Sequence, residues 1–206
     1  MYQQSTDVYA IVVPIAIVLL SLTIHEAAHA WTAERLGDPT ARLLGRVSLN
    51  PLVHIDLIGT VLLPLLAALS NLPIIGWAKP VPVDMRRLGH PRRDFMMVAA
   101  AGPASNLLLA IAGAAVVWAT GGSRFGASPV LLWIEINILL AMFNLVPVPP
   151  LDGGNVLAGL LPPPLDATFQ RLRPFGIFIL YALMFTGILS AIIMPPARLL
   201  WELLLP

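Results

Sequence analysis

His25-Glu26-Ala27-Ala28-His29 places two imidazoles four residues apart, with a carboxylate directly after the first. On an α-helix, residues i and i+4 lie one above the other on one face. Both rings then reach one metal ion. The Glu between them reaches a metal-bound water and serves as its general base. Bound zinc is expected to bring the pKa of such a water to roughly 7. The bland alternative is a chance match, with the three groups as polar residues of a helix interior. The chain holds only 4 His, and on composition a random occurrence of the pattern is well below about one in a hundred. The stretch around it is apolar, and two His and a Glu inside a membrane helix are costly unless they have work to do.

A catalytic zinc site usually has three protein ligands and one open position. Cysteine is absent, so the third ligand must come from His, Asp or Glu, and disulfides are excluded. The candidate is Asp152, in the run Asn144 to Gly154, where prolines end an apolar helix and Gly153-Gly154 permits a tight turn. An Asp there also reads as the cap of a following helix. Asp56 and His54 are rivals for the same role. Asn144 offers an uncharged amide that can hold a substrate strand or a developing oxyanion, or simply a helix-end hydrogen bond. Asn106, in Ala101-Gly102-Pro103-Ala104-Ser105-Asn106, reads as a packing or hydrogen-bonding residue among small residues that let helices approach. His54 reads as a supporting residue for a metal ligand or as a structural loop residue, and His90 as loop surface.

These groups must be carried by a membrane. Hydrophobic residues are 58% of the 206 and charged residues 11%, against about 25% charged in a soluble domain. A net charge of +1 gives no indication of a nucleic-acid partner. The first basic residue is Arg35, so the N-terminal apolar stretch does not read as a cleavable signal peptide. With about 20 apolar residues needed per span, Val8 to Arg35, Phe95 to Ala119, Pro129 to Val146 and Phe175 to Met194 qualify. Ile55 to Leu69, with Asp56, Gly59 and Pro64, is marginal, and Leu199 to Leu205 is too short. Cytoplasmic loops are rich in Lys and Arg. With four spans and both termini outside, ten of the 12 basic residues fall inside, leaving only Arg124 and Arg198 outside. That orientation brings His25, His29 and Asp152 to a similar depth near the cytoplasmic face.

The fold expected is an all-α integral membrane protein with about four transmembrane helices, five or six at most, forming one domain over residues 1–206. Between the first and second spans, residues 38–94 read as a re-entrant or β-hairpin-like insertion. Val47-Ser48-Leu49 and Trp77 to Val83 look extended, because alternating prolines such as Pro80 and Pro82 exclude helix.

Together the motifs resemble the site-2 protease family of intramembrane zinc metalloproteases, peptidase family M50. The resemblance covers most of the chain. It runs from His25 to His29 through Gly45 to Asp56, Gly59-Thr60, Gly76 to Val83 and Ala101 to Asn106 to the run Asn144 to Gly154. It implies one Zn2+ held by His25, His29 and Asp152, Glu26 as catalytic base, and Asn144 against the substrate. It also implies a sheet-like element over Leu43 to Val83, and regulated intramembrane proteolysis. The loops are too short for the PDZ or CBS domain that many members carry, so the resemblance is to a minimal form. The partners implied are a transmembrane protein substrate and the lipid bilayer, and the implied home is a prokaryotic plasma membrane. Substrate would unwind, pair with an edge of the Leu43–Val83 element, and be cut by water with no covalent intermediate. Two other readings remain open here, a metal-binding or transport protein and a catalytically inactive membrane scaffold.

Overall fold

A computed structural model describes residues 2–62, 66, 69–70, 78–121 and 129–205. Gly76, Trp77, Pro64 and Arg124, which entered the sequence reading, lie outside them. Helix α1 (Tyr2–Arg35) has 34 residues, about 50 Å of helix and so longer than the roughly 30 Å hydrocarbon core. It stops because Gly37 adopts φ 108°, left-handed backbone that costs an L side chain but not glycine. Gly37 N–H then donates to Glu34 O and Asp38 N–H to Ala33 O, the paired bonds of a Schellman C-cap.

The chain continues through α2 (Thr40–Leu43) into the 38–94 insertion. Asp38 is fully buried and gathers this region. It accepts from Thr40 N–H and Thr40 Oγ–H, and across 46 residues from Asp84 N–H at 2.7 Å. Arg86 and Arg87 pair with Asp84, and the Arg86 hydrogen bond holds that carboxyl at about 2, below its ordinary value. The buried Arg46 guanidinium donates to Val53 O, and Lys79 N–H donates to His54 O at 2.8 Å. That last bond ties the second expected extended piece to the end of the Pro51–Val53 turn, not to Val47–Leu49. Among the described residues there is no β-strand, so the hairpin-like expectation is not borne out there. Ser48 N–H turns back to Arg46 O, and Leu57–Leu62 forms a wide helical turn.

Helix α3 (Pro91–Ala119) is the second long apolar helix. Pro91 opens it, where a missing N–H costs nothing, and the buried Asp94 carboxylate accepts His90 N–H at 2.7 Å. Helix α4 (Pro129–Asn144) packs on it, Ile134 and Ile138 against Ala110, Ala114 and Val117. Then come α5 (Asp152–Leu160), α6 (Pro163–Gln170), α7 (Gly176–Phe185) and α8 (Ile188–Leu204). Two of the four expected spans, in α1 and α3, are single helices long and apolar enough to cross. The third stops at Asn144 after 16 residues, about 24 Å. The fourth is not one straight helix. Gly187 at φ 74° breaks it, and the helices on either side are bent by 77°. Leu199 to Leu205, too short alone, is instead the end of the 17-residue α8. Large apolar side chains along these helices face outward, among them Ile11, Leu108, Phe178 and Leu199, as lipid-facing surfaces require.

Candidate metal centre

The site begins as a register between two antiparallel helices. His25 and His29 lie one turn apart on α1. Val98, Gly102 and Asn106 lie one turn apart on α3, in the opposite direction. His29 Nδ1–H donates to Val98 O and His25 Nδ1–H to Asn106 Oδ1, both at 2.7 Å. Gly102 falls between the two contacts. A Cβ there would stand 2.4 Å from His29 Nε2 and 2.5 Å from His25 Nε2. Only glycine lets α3 approach the imidazoles this closely.

Asp152 arrives from the other end of the chain as the first residue of α5. The turn that delivers it is tight. A Cβ on Gly153 would lie 2.2 Å from Leu145 O, and one on Gly154 2.8 Å from Pro149 N. Helix α5 lies along α3, where Arg92 donates to Ala158 O at 3.1 Å. Asp152 Oδ2 thereby reaches 3.0 Å from His25 Nε2 and 3.3 Å from His29 Nε2, and the two Nε2 atoms are 3.0 Å apart. Asp56 and His54, the rivals for third ligand, are held elsewhere. Asp56 Oδ1 accepts Ile58 N–H and Gly59 N–H, and His54 Nε2–H donates to Ser48 O.

The residues fit a metal. Asn106 Oδ1 and Val98 O can only accept, so each His carries its proton on Nδ1 and presents a bare Nε2 lone pair. Asp152 Oδ2 is buried with no hydrogen-bond donor. Three electron pairs therefore converge in a buried space, and a single proton bridges only two of them. Ligand atoms about 2.0–2.2 Å from a tetrahedral zinc lie roughly 3.3 Å apart, close to the triangle seen here. The donor set, two imidazoles and one carboxylate, is that of catalytic zinc sites. Among the described residues, this is the one cluster of three or more such side chains able to hold a metal.

Glu26 is half-buried and adjoins His25 in the same helical turn. Asn106 is fully buried and touches His25, a candidate ligand, directly. Asn144 is half-buried, and its Nδ2–H donates back to Leu140 O at 3.0 Å, leaving its Oδ1 with no partner shown. His54 is buried but tied into its own loop, and His90 lies at the start of α3 away from the cluster. Sequence reasoning missed Asn137. Fully buried on α4, it accepts Asn106 Nδ2–H at 2.9 Å. The available sign was an amide inside a largely apolar helix, whose only other polar residues are Glu135 and the terminal Asn144.

The model of peptidase family M50 matches residues 123–186, the part containing Asn144 and Asp152. YwhC of Bacillus subtilis strain 168, which bears a provisional name as a zinc metalloprotease, is 36% identical over 190 residues, covering 86% of this chain and 82% of YwhC. Rip2 of Mycolicibacterium smegmatis, provisionally named likewise, is 30% identical over 176 residues, 84% of this chain and 66% of Rip2. Rip2 of Mycobacterium tuberculosis H37Rv is 30% identical over 172 residues, 80% of this chain and 63% of that protein. No solved structure matches the chain.

Proposed function

This chain belongs to peptidase family M50, the site-2 protease family, and from that premise we propose that it is an intramembrane endopeptidase that hydrolyses peptide bonds in or near transmembrane segments of membrane proteins. Its cofactor is zinc, as the names of its relatives state for them. The observation that carries the reading is the convergence of His25 Nε2, His29 Nε2 and Asp152 Oδ2 within 3.3 Å, beside Glu26 and between apolar helices. A transport or storage role accounts for the ligands but not for a Glu in the same turn.

Zinc, when held by His25, His29 and Asp152, would polarise the scissile carbonyl and acidify water. Asn106 and the Val98 carbonyl keep both imidazoles in the tautomer that leaves Nε2 free. Glu26 takes a proton from the attacking water and returns it to the departing amine. Asn144 offers its amide to the substrate strand or to the charge that develops on the carbonyl oxygen. The segment from Leu43 to Val83 receives the unwound substrate. The reaction faces the cytoplasm, on the support of the Lys and Arg asymmetry, and the physiological setting is regulated intramembrane proteolysis in a prokaryotic plasma membrane.

The test uses the purified full chain with zinc, reconstituted in vesicles with a library of single-span membrane peptides. Cleavage by the wild type, abolished in Glu26→Gln while zinc content stays near one per chain, is the expected result. No zinc in the wild type, even after adding it back, would sink the reading. Equal cleavage by Glu26→Gln would remove Glu26 as base.

A further inference from the structure

Behind His25 runs a ladder of amides that no step above employs. Asn137 Nδ2–H donates to Trp133 O at 2.9 Å. Asn137 Oδ1 accepts Asn106 Nδ2–H at 2.9 Å, and Asn106 Oδ1 accepts His25 Nδ1–H at 2.7 Å. The ladder crosses from α4 through α3 to α1. Both Asn residues have no exposed surface, and Ala110, Ile134 and Ile138 beside them are buried too. Two amides in so apolar a place are costly unless every group is paired.

The direction of the ladder follows from its far end. A backbone carbonyl can only accept, so the Asn137 NH2 must face Trp133 O. That turns Asn137 Oδ1 toward Asn106, which must answer with its own NH2. Asn106 Oδ1 is then left facing His25, whose Nδ1 must carry the proton. We propose that Asn137 is a positioning residue for the metal centre, orienting the Asn106 amide so that His25 presents a bare Nε2 to the metal. The inference rests on the zinc-site reading above. Partners of metal-bound imidazoles beyond the ligands themselves commonly change metal affinity about 10–100-fold when removed.

Replacing Asn137 by Leu keeps the branching at Cγ and the number of heavy atoms, adds some bulk, and removes the acceptor. The Asn106 amide is then free to turn over, restrained only by the long 3.4 Å contact of its Nδ2 with Ser21 O. The turned amide presents N–H to His25 Nδ1, and the imidazole proton moves to Nε2, into the metal's place. Replacing Asn137 by Asp retains an oxygen facing Asn106 whether the acid is ionised or not. Protonated, it also donates to Trp133 O.

A role in packing and a role in orientation therefore predict opposite rankings. Leu suits an apolar helix interface better than Asp does, whereas only Asp keeps Asn106 in place. The experiment is zinc affinity of the full-length chain in detergent, by competition with a chromophoric chelator, together with the thermal midpoint of the zinc-free protein. We expect Asn137→Leu to bind zinc about 10–100-fold more weakly, with a zinc-free midpoint no lower than that of Asn137→Asp. Asn137→Asp should stay within about threefold of wild-type affinity, on the same footing. Wild-type affinity in Asn137→Leu overturns the proposal, and so does an Asn137→Asp variant that folds yet binds as weakly as the Leu variant. If Asn137→Leu does not fold, the Asp variant alone decides. Absence of zinc from the wild type overturns the metal-centre reading and this inference with it.

Discussion

Replacing Gly102 by Ala separates the fold from the metal site. Alanine favours the helix interior over glycine by about 0.5–1 kcal/mol. The added methyl, however, would lie 2.4 Å from His29 Nε2 and 2.5 Å from His25 Nε2, about 1 Å inside ordinary contact distance. Overpacking of this kind costs about 1–3 kcal/mol, so the net loss is roughly 0–2.5 kcal/mol. That is a fraction of the 5–15 kcal/mol of a typical folded protein. The variant should therefore fold. The metal site fares differently, because ligand distances must hold within about 0.2 Å, and the methyl either fills the space between the Nε2 atoms or pushes α3 and α1 apart. We expect zinc affinity to fall at least 100-fold, on the scale set by lost ligand geometry. The assay is zinc per chain by mass spectrometry and chelator competition, beside thermal unfolding followed by circular dichroism. Gly113→Ala on the same helix is the control. Its Cβ would meet Ile134 Cγ1 at 2.8 Å and Trp133 Cδ1 at 3.0 Å, so it crowds apolar packing and should lower stability while keeping zinc. Stoichiometric zinc at wild-type affinity in Gly102→Ala would refute the close approach of α3 to the imidazoles.

Glu26→Gln should keep zinc and lose cleavage by about 10²–10⁴-fold, the usual contribution of a positioned acid–base group; single-turnover cleavage of a membrane peptide reads it. In Gly153→Ala the new Cβ meets the Leu145 carbonyl at 2.2 Å, and the displaced start of α5 should carry Asp152 off the site. Zinc affinity measured beside that of Asp152→Ala should fall in both, and an unaffected Gly153→Ala would disprove the tight turn. At Gly187 nothing lies within 4 Å of an added Cβ, so Gly187→Ala should cost only the left-handed backbone, about 1–2 kcal/mol, seen as a lower thermal midpoint with zinc unchanged. The Asp84 carboxyl, held at about 2 by Arg86, lies below the ordinary value of roughly 3.9. The stabilisation that it gives the Met85–Arg87 turn is complete above about pH 4 and is lost as pH falls toward 2. A carboxyl titration midpoint near 4 would remove that pairing.

What the sequence determined by itself was local. His25 and His29 are one helical turn apart, and the period of the helix puts them on one face wherever that helix goes. The prolines after Asn144 end α4 for equally local reasons, and the apolar runs of α1 and α3 are long enough to read as spans. Asp152 was harder, because it stands 123 positions beyond His29 (152 minus 29), and Asp56 and His54 were chemically equal rivals. The packing of α5 along α3 separated them, while His54 Nε2 and Asp56 Oδ1 bond to backbone of their own loop. Counting apolar residues also ran α7 and α8 together without the bend between them, since hydropathy carries no information on the backbone handedness at Gly187. Gly102 read as a small packing residue, but that it packs against the imidazoles of His25 and His29 depends on the register of two antiparallel helices. Asn137 offered only its polarity within a largely apolar helix. Such an amide acquires a purpose only when folding sets its oxygen against Asn106, and through it against His25.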